Sequence, residues 1–143
     1  MKPSKSIDDI QNEIIDEFAI YDEWLDKYEY LIDLGRDLPL IEESDKTDAN
    51  IIEGCQSRVW LTCRKDEYGC LNFAADSDAI ITKGLISLLI RVFDGRLPQE
   101  ILDAELYFID SIGLKENLSP TRAGGLAAMV KRIREYAAEY VEG

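Results

Sequence analysis

The sequence predicts an α+β fold, and three observations carry that expectation. Apolar residues recur at helical spacing before residue 35 and again after residue 79, and the stretch from Val59 to Ala74 alternates in the strand manner about a turn. Glycine, proline and capping residues punctuate the chain between these segments. The order is helices, hairpin, buried helix, C-terminal helix, which is compatible with a shared core.

Ser6-Ile7-Asp8-Asp9 reads as a helix start, with acidic residues in the first turn suiting the helix dipole. Ile7, Ile10, Ile14 and Phe18 then form an apolar face. A second helix is expected from near Asp22, with Trp24, Leu25, Tyr28, Leu31 and Ile32 as its buried stripe and Gly35 and Pro39 as its stop. Pro39 to Asn50 is a polar, acidic loop carrying Glu42, Glu43, Asp45 and Asp48, either solvated surface or a docking face. Val59 to Arg64 and Cys70 to Ala74 pair as a hairpin across Asp66-Glu67-Tyr68-Gly69. Asp76-Ser77-Asp78 caps the next helix, Ala79 to about Phe93, whose apolar residues cover most of its circumference. Lys83, Ser87, Arg91 and Asp94 fall at spacings of four, four and three as a single narrow polar stripe, so this is the central core helix. Asp94 to Pro98 ends it, and Pro98 opens a short helix through Leu102. Tyr107 to Ile112 leans towards helix. Ser119-Pro120 starts an amphipathic C-terminal helix marked by Leu126, Met129, Val130, Ile133, Ala137 and Tyr140. Arg122 stands in its first turn, where a positive charge opposes the dipole; local conflicts of this kind gather at functional sites.

The chain of 143 residues is expected to be a single domain (1–143) with a core of ordinary size. A formal charge of −13 sets the surface against phosphate backbones and anionic lipid, so neither nucleic acid nor membrane is an expected partner, and a partner with a basic rim is. Residues 1–10 lack the apolar run of a signal peptide and Gly84 to Ile90 is too short to span a bilayer, which points to the cytoplasm. Three cysteines spaced C-x7-C-x6-C, with no histidine, argue against a disulfide framework and a structural zinc site. The missing histidine also removes Cys-His and Ser-His-Asp catalysis. Cys63 and Cys70 fall inside the hairpin and are read as packing residues.

Cys55 has a different setting. Gly54 tolerates a sharp turn that presents the thiol at a loop tip, Gln56 and Ser57 can donate hydrogen bonds to a sulfur anion, and Arg58 adds a charge partly offset by Glu53. On these residues alone Cys55 is either a small buried hydrophobe or a nucleophile. Ile52 to Trp60 resembles the signature of the SufE family of sulfur acceptors. Asp76 to Leu85 and Leu118 to Leu126 fit the same family pattern in the same order, and the resemblance runs from about Glu23 to about Tyr136.

The resemblance implies an α+β fold shared with IscU-like proteins, with an antiparallel sheet of about three strands. It implies a sulfur acceptor: Cys55 takes persulfide sulfur from a SufS-type cysteine desulfurase, stimulates that enzyme, and passes the sulfur to a SufBCD-type iron–sulfur scaffold. No metal or cofactor is expected on this chain, the pyridoxal phosphate belonging to the desulfurase. By the same resemblance Gly54, Gln56, Ser57 and Arg58 steady the loop, and Asp76, Ser77, Asp78 and Arg122 form the surface that cradles or docks it. A sheltered thiol that swings out on docking is the expected mechanism, with the free chain a monomer or homodimer. Two other readings stand: an IscU-type scaffold that binds metal itself, and a regulatory module that activates a desulfurase without carrying sulfur.

Overall fold

The computed structural model describes residues 5–38 and 41–142. Helix α1 (Ile7–Ala19) starts as the sequence predicts: the Ser6 hydroxyl accepts from the Asp9 N–H at 3.0 Å and the Asp9 carboxylate accepts from the Ser6 N–H at 3.2 Å. Its inner face buries Ile7, Ile14 and Phe18 and also Gln11, a polar residue in the apolar stripe. Gln11 is tolerated there because its amide is bonded on both ends, donating to Glu105 O at 2.9 Å and accepting from the Tyr107 N–H at 2.9 Å.

Helix α2 (Trp24–Arg36) runs through Gly35, and Pro39 lies outside the described residues. Gly35 is therefore a contact residue and no stop signal. A Cβ on Gly35 would lie 2.9 Å from Gly84 N, and one on Gly84 would overlap the Leu31 carbonyl and stand 2.8 Å from Leu31 Cγ. The two helices cross backbone to backbone, which only hydrogen side chains permit. Leu25, expected inside, is 67% exposed, so the buried stripe of α2 runs through Leu31 and Gly35 instead.

After two 3-10 turns, Glu43–Asp45 and Asp48–Asn50, the chain enters β1 (Val59–Lys65) and returns as β2 (Leu71–Ser77), antiparallel, with Val59 opposite Ser77 and Lys65 opposite Leu71. The turn forms because Asp66 N–H donates to Cys70 O at 2.8 Å, the Asp66 carboxylate accepts from the Tyr68 and Cys70 N–H groups, and Gly69 takes φ 83°. The expected three-stranded sheet has two strands among the described residues. Its flanks carry isolated bridges, Ile51 to Trp60 and Leu71 to Arg96, because the chain turns away at Gly54 on one side and at Gly95 on the other.

Helix α3 (Ile80–Phe93) buries nine residues, Thr82 and Gly84 among them, while Lys83, Ser87 and Arg91 stay half-buried as the expected polar stripe; Ile80, at its start, is 65% exposed. The short helices α4 (Pro98–Asp103), α5 (Phe108–Ser111) and α6 (Leu114–Asn117) then lead into α7 (Pro120–Glu142). The Ser119 hydroxyl accepts from the Arg122 N–H at 3.3 Å, so the predicted start of α7 holds. Apolar side chains of the hairpin and of α1, α2, α3 and α7 meet in a shared core in which α3 is central.

Replacing Gly84 with alanine forces the α2–α3 crossing apart and is expected to cost about 2–3 kcal/mol in urea unfolding. Gly124→Ala, where an added Cβ meets nothing within 4 Å on α7, should gain about 0.5–1 kcal/mol.

Candidate functional site: a half-buried thiol between two helix starts

Gly54 adopts φ 95°, which turns the chain back after Ile52 bonds to the hairpin through its N–H to Val59 O at 2.8 Å. A side chain at Gly54 would be strained and would also meet Ala128 Cβ at 3.1 Å. The turn does not raise Cys55 to an exposed tip. It lays the thiol half-buried against α7, where Sγ donates to Gly125 O at 3.5 Å. Gly125 is small for a reason: an ideal Cβ there would lie 3.5 Å from the sulfur.

Beside the sulfur is a cavity of about 40 Å³. Cys55, Gln56 and Ser57 line it from the loop, Thr82 and Leu85 from α3, and Thr121, Arg122, Gly125 and Met129 from α7. That volume holds a water-sized group and excludes a peptide or nucleotide. A cavity of about 560 Å³ between α4 and α7 is far larger, but it holds no cysteine and none of the predicted residues. The small site lies beside the first turns of α3 and α7. Arg122 lines the cavity from the first turn of α7.

Burial pushes the Cys55 thiol above its ordinary range, and no nearby charge offsets it. Among the described residues no hydrogen bond runs from Gln56 or Ser57 to the sulfur; both instead wall the cavity, and Arg58 is exposed. The resting form is therefore a neutral thiol with a carbonyl acceptor. Cys63, on β1, is pushed up to about 12 by burial first, and Cys70 is buried, both consistent with packing.

Asp76-Ser77-Asp78 does not cap α3. The N-cap is Ala79, with no side-chain cap, because β2 extends through Ser77 and draws the three residues into other work. Asp78 accepts from the Arg58 N–H at 3.1 Å, and its own N–H donates to Arg58 O at 3.2 Å. The Ser77 hydroxyl donates to the same carbonyl at 2.8 Å. Ser77 and Asp78 thus clamp the exit of the Cys55 loop through Arg58 backbone, which is the part Arg58 plays. Asp76 does not touch the loop. It takes ion pairs from Lys46 at 2.8 Å and Lys83 at 3.4 Å. Burial would raise its carboxyl, yet the Lys46 and Ser77 hydrogen bonds and the Lys83 charge outweigh that and hold it below the usual range.

The family model described as "Fe-S metabolism associated domain" matches residues 12–137. The chain belongs to the SufE family. An uncharacterized SufE-like protein of Rhizobium etli is 43% identical over 130 residues, covering 88% of this chain and 88% of that protein. A second, from Rhizobium meliloti, is 42% identical over 131 residues, covering 88% and 93%. The solution structure of a hypothetical protein from Thermus thermophilus shares the fold, with a TM-score of 0.76 over the whole of both chains at 19% identity. Membership of SufE places the chain in iron–sulfur metabolism. Among the described residues no helix is long and apolar enough to cross a membrane.

Two outcomes follow from the geometry. Alkylation of Cys55 should climb about tenfold per pH unit and keep climbing past the ordinary thiol range, because the thiolate reacts and burial disfavours it. Asp78→Ala frees the Arg58 N–H and should speed Cys55 alkylation about fivefold at fixed pH, with a stability loss near ~1 kcal/mol.

Proposed function

We propose that this chain is a sulfur acceptor that takes persulfide sulfur from a SufS-type cysteine desulfurase onto Cys55 and passes it to a SufBCD-type iron–sulfur scaffold. The observation that carries this reading is a half-buried thiol beside a cavity large enough for one more small atom, between the first turns of two helices.

The chemistry is thiol exchange. The Cys55 thiolate attacks the outer sulfur of the donor's persulfide, one S–S bond forms as another breaks, and the donor cysteine leaves as a thiolate. The transferred sulfur is at the zero-valent level throughout, so nothing is oxidised and neither metal nor cofactor is required on this chain. The resting geometry supports the sheltering half of the mechanism. Presentation requires that the Ser77 and Asp78 clamp or the Gly54 turn yield on docking, a two-state equilibrium shifted by the partner. Three free cysteines support a reducing, cytoplasmic setting, and the charge of −13 supports a partner with a basic rim. The IscU-type alternative gains no support: among the described residues no three His, Cys, Asp or Glu side chains converge as a metal site needs.

Incubation with a SufS-type desulfurase, pyridoxal phosphate and cysteine should add about 32 Da per sulfur to the intact chain, a mass lost in Cys55→Ser along with any stimulation of the desulfurase. Stimulation that survives Cys55→Ser would sink the carrier reading in favour of a regulatory module.

A further inference from the structure

Thr82 is 7% exposed and lines the Cys55 cavity, yet among the described residues its hydroxyl takes part in no hydrogen bond. A buried threonine on a helix ordinarily bonds back to the carbonyl of the preceding turn. Thr82 stands in the first turn of α3, and its hydroxyl makes no such bond to Asp78, the residue four earlier, which lies outside the helix. Thr82 lines the same small cavity as Cys55, with its hydroxyl unbonded. The residue is buried but its hydroxyl has no partner among the described residues, so it is uncommitted and able to donate to an acceptor placed in the cavity.

The state of the sulfur supplies one. As a neutral thiol, Cys55 is a donor and is satisfied by Gly125 O. A persulfide ends in an anionic sulfur, which is an acceptor; the Gly125 carbonyl repels it, and a donor is needed on the opposite wall. We propose that the Thr82 hydroxyl donates a hydrogen bond to the outer sulfur of a Cys55 persulfide held in this cavity. Thr82 is a positioning residue that recognises the loaded state and is idle in the unloaded one. The inference rests on the sulfur-acceptor reading in one respect, that Cys55 carries a persulfide.

The test loads the full chain with inorganic tetrasulfide, which needs no desulfurase. The Cys55 thiolate attacks a terminal sulfhydryl sulfur, one S–S bond forms and one breaks, and trisulfide dianion leaves with the electron pair. Intact mass and peptide mapping locate the added sulfur at Cys55. The pH profile of iodoacetamide reaction at the outer sulfur and the rate of its removal by cyanide are then compared across wild type, Thr82→Val and Thr82→Ser. Loss of one hydrogen bond to a charged group should raise the apparent pKa of the outer sulfur by about one unit in Thr82→Val and speed cyanide removal about tenfold. Thr82→Ser, which keeps the hydroxyl, should restore both. Unchanged profiles in a folded Thr82→Val, or a serine variant that behaves like valine, would overturn the proposal. So would a wild type that gains no sulfur at Cys55. Because the loading is chemical, a wild type that takes sulfur from tetrasulfide but from no desulfurase defeats the proposed function and leaves the Thr82 result to stand by itself.

Discussion

The α2–α3 crossing sets the position of everything that matters at the thiol. Gly84 lies against the Leu31 backbone and Gly35 against Gly84, leaving no room for side chains between the helices. That contact fixes the depth of α3 in the core. Thr82 and Leu85, either side of Gly84, then fall on the wall facing α7, where the cavity opens. One face of a single turn thus sets the packing and the other shapes the site. A shift that relieved the crossing would move the cavity wall with it.

Charge and hydrogen bonding are divided between the two sides of the sulfur in a way that separates shelter from reactivity. Burial keeps Cys55 protonated, and the Gly125 carbonyl gives the proton a place to point. Arg122 and Thr82 line the other side of the same small space. The clamp at Arg58 acts on main chain alone, so the arginine side chain stays exposed and free for other contacts.

Much of the fold was legible because it follows from periodicity and punctuation. The capped start of α1, the hairpin turn with its aspartate and glycine, the apolar circumference of α3 and the Ser-Pro start of α7 are local features with local causes. Three features were not local. Gly35 near a helical end, with a proline following, has the pattern of a stop, and only the distant Gly84 makes it a crossing point. Asp76-Ser77-Asp78 has the composition of a cap, but pairing of Ser77 with Val59 carries the strand through it and the polar groups find Arg58 and Lys46 instead. Cys55 was legible as the centre of the site from its glycine and polar flanks. Gln56 and Ser57, expected to donate to a sulfur anion, wall the cavity beside a neutral thiol, and Thr82, Leu85, Gly125 and Met129 were missed as wall residues. A threonine and a methionine among apolar helix positions carry no local sign that a loop from elsewhere in the chain will lie against them.

The Ile52–Val59 hydrogen bond and the Arg58 clamp pin both ends of a very short tether. Cys55 is three residues from either anchor, so even a fully straightened strand carries its sulfur only about 10 Å from the hairpin edge. While both anchors hold, cargo on such a leash cannot travel across the surface to reach a distant receiver. Whatever exchanges with it must come almost to the sheet and bring its own reactive group the rest of the way.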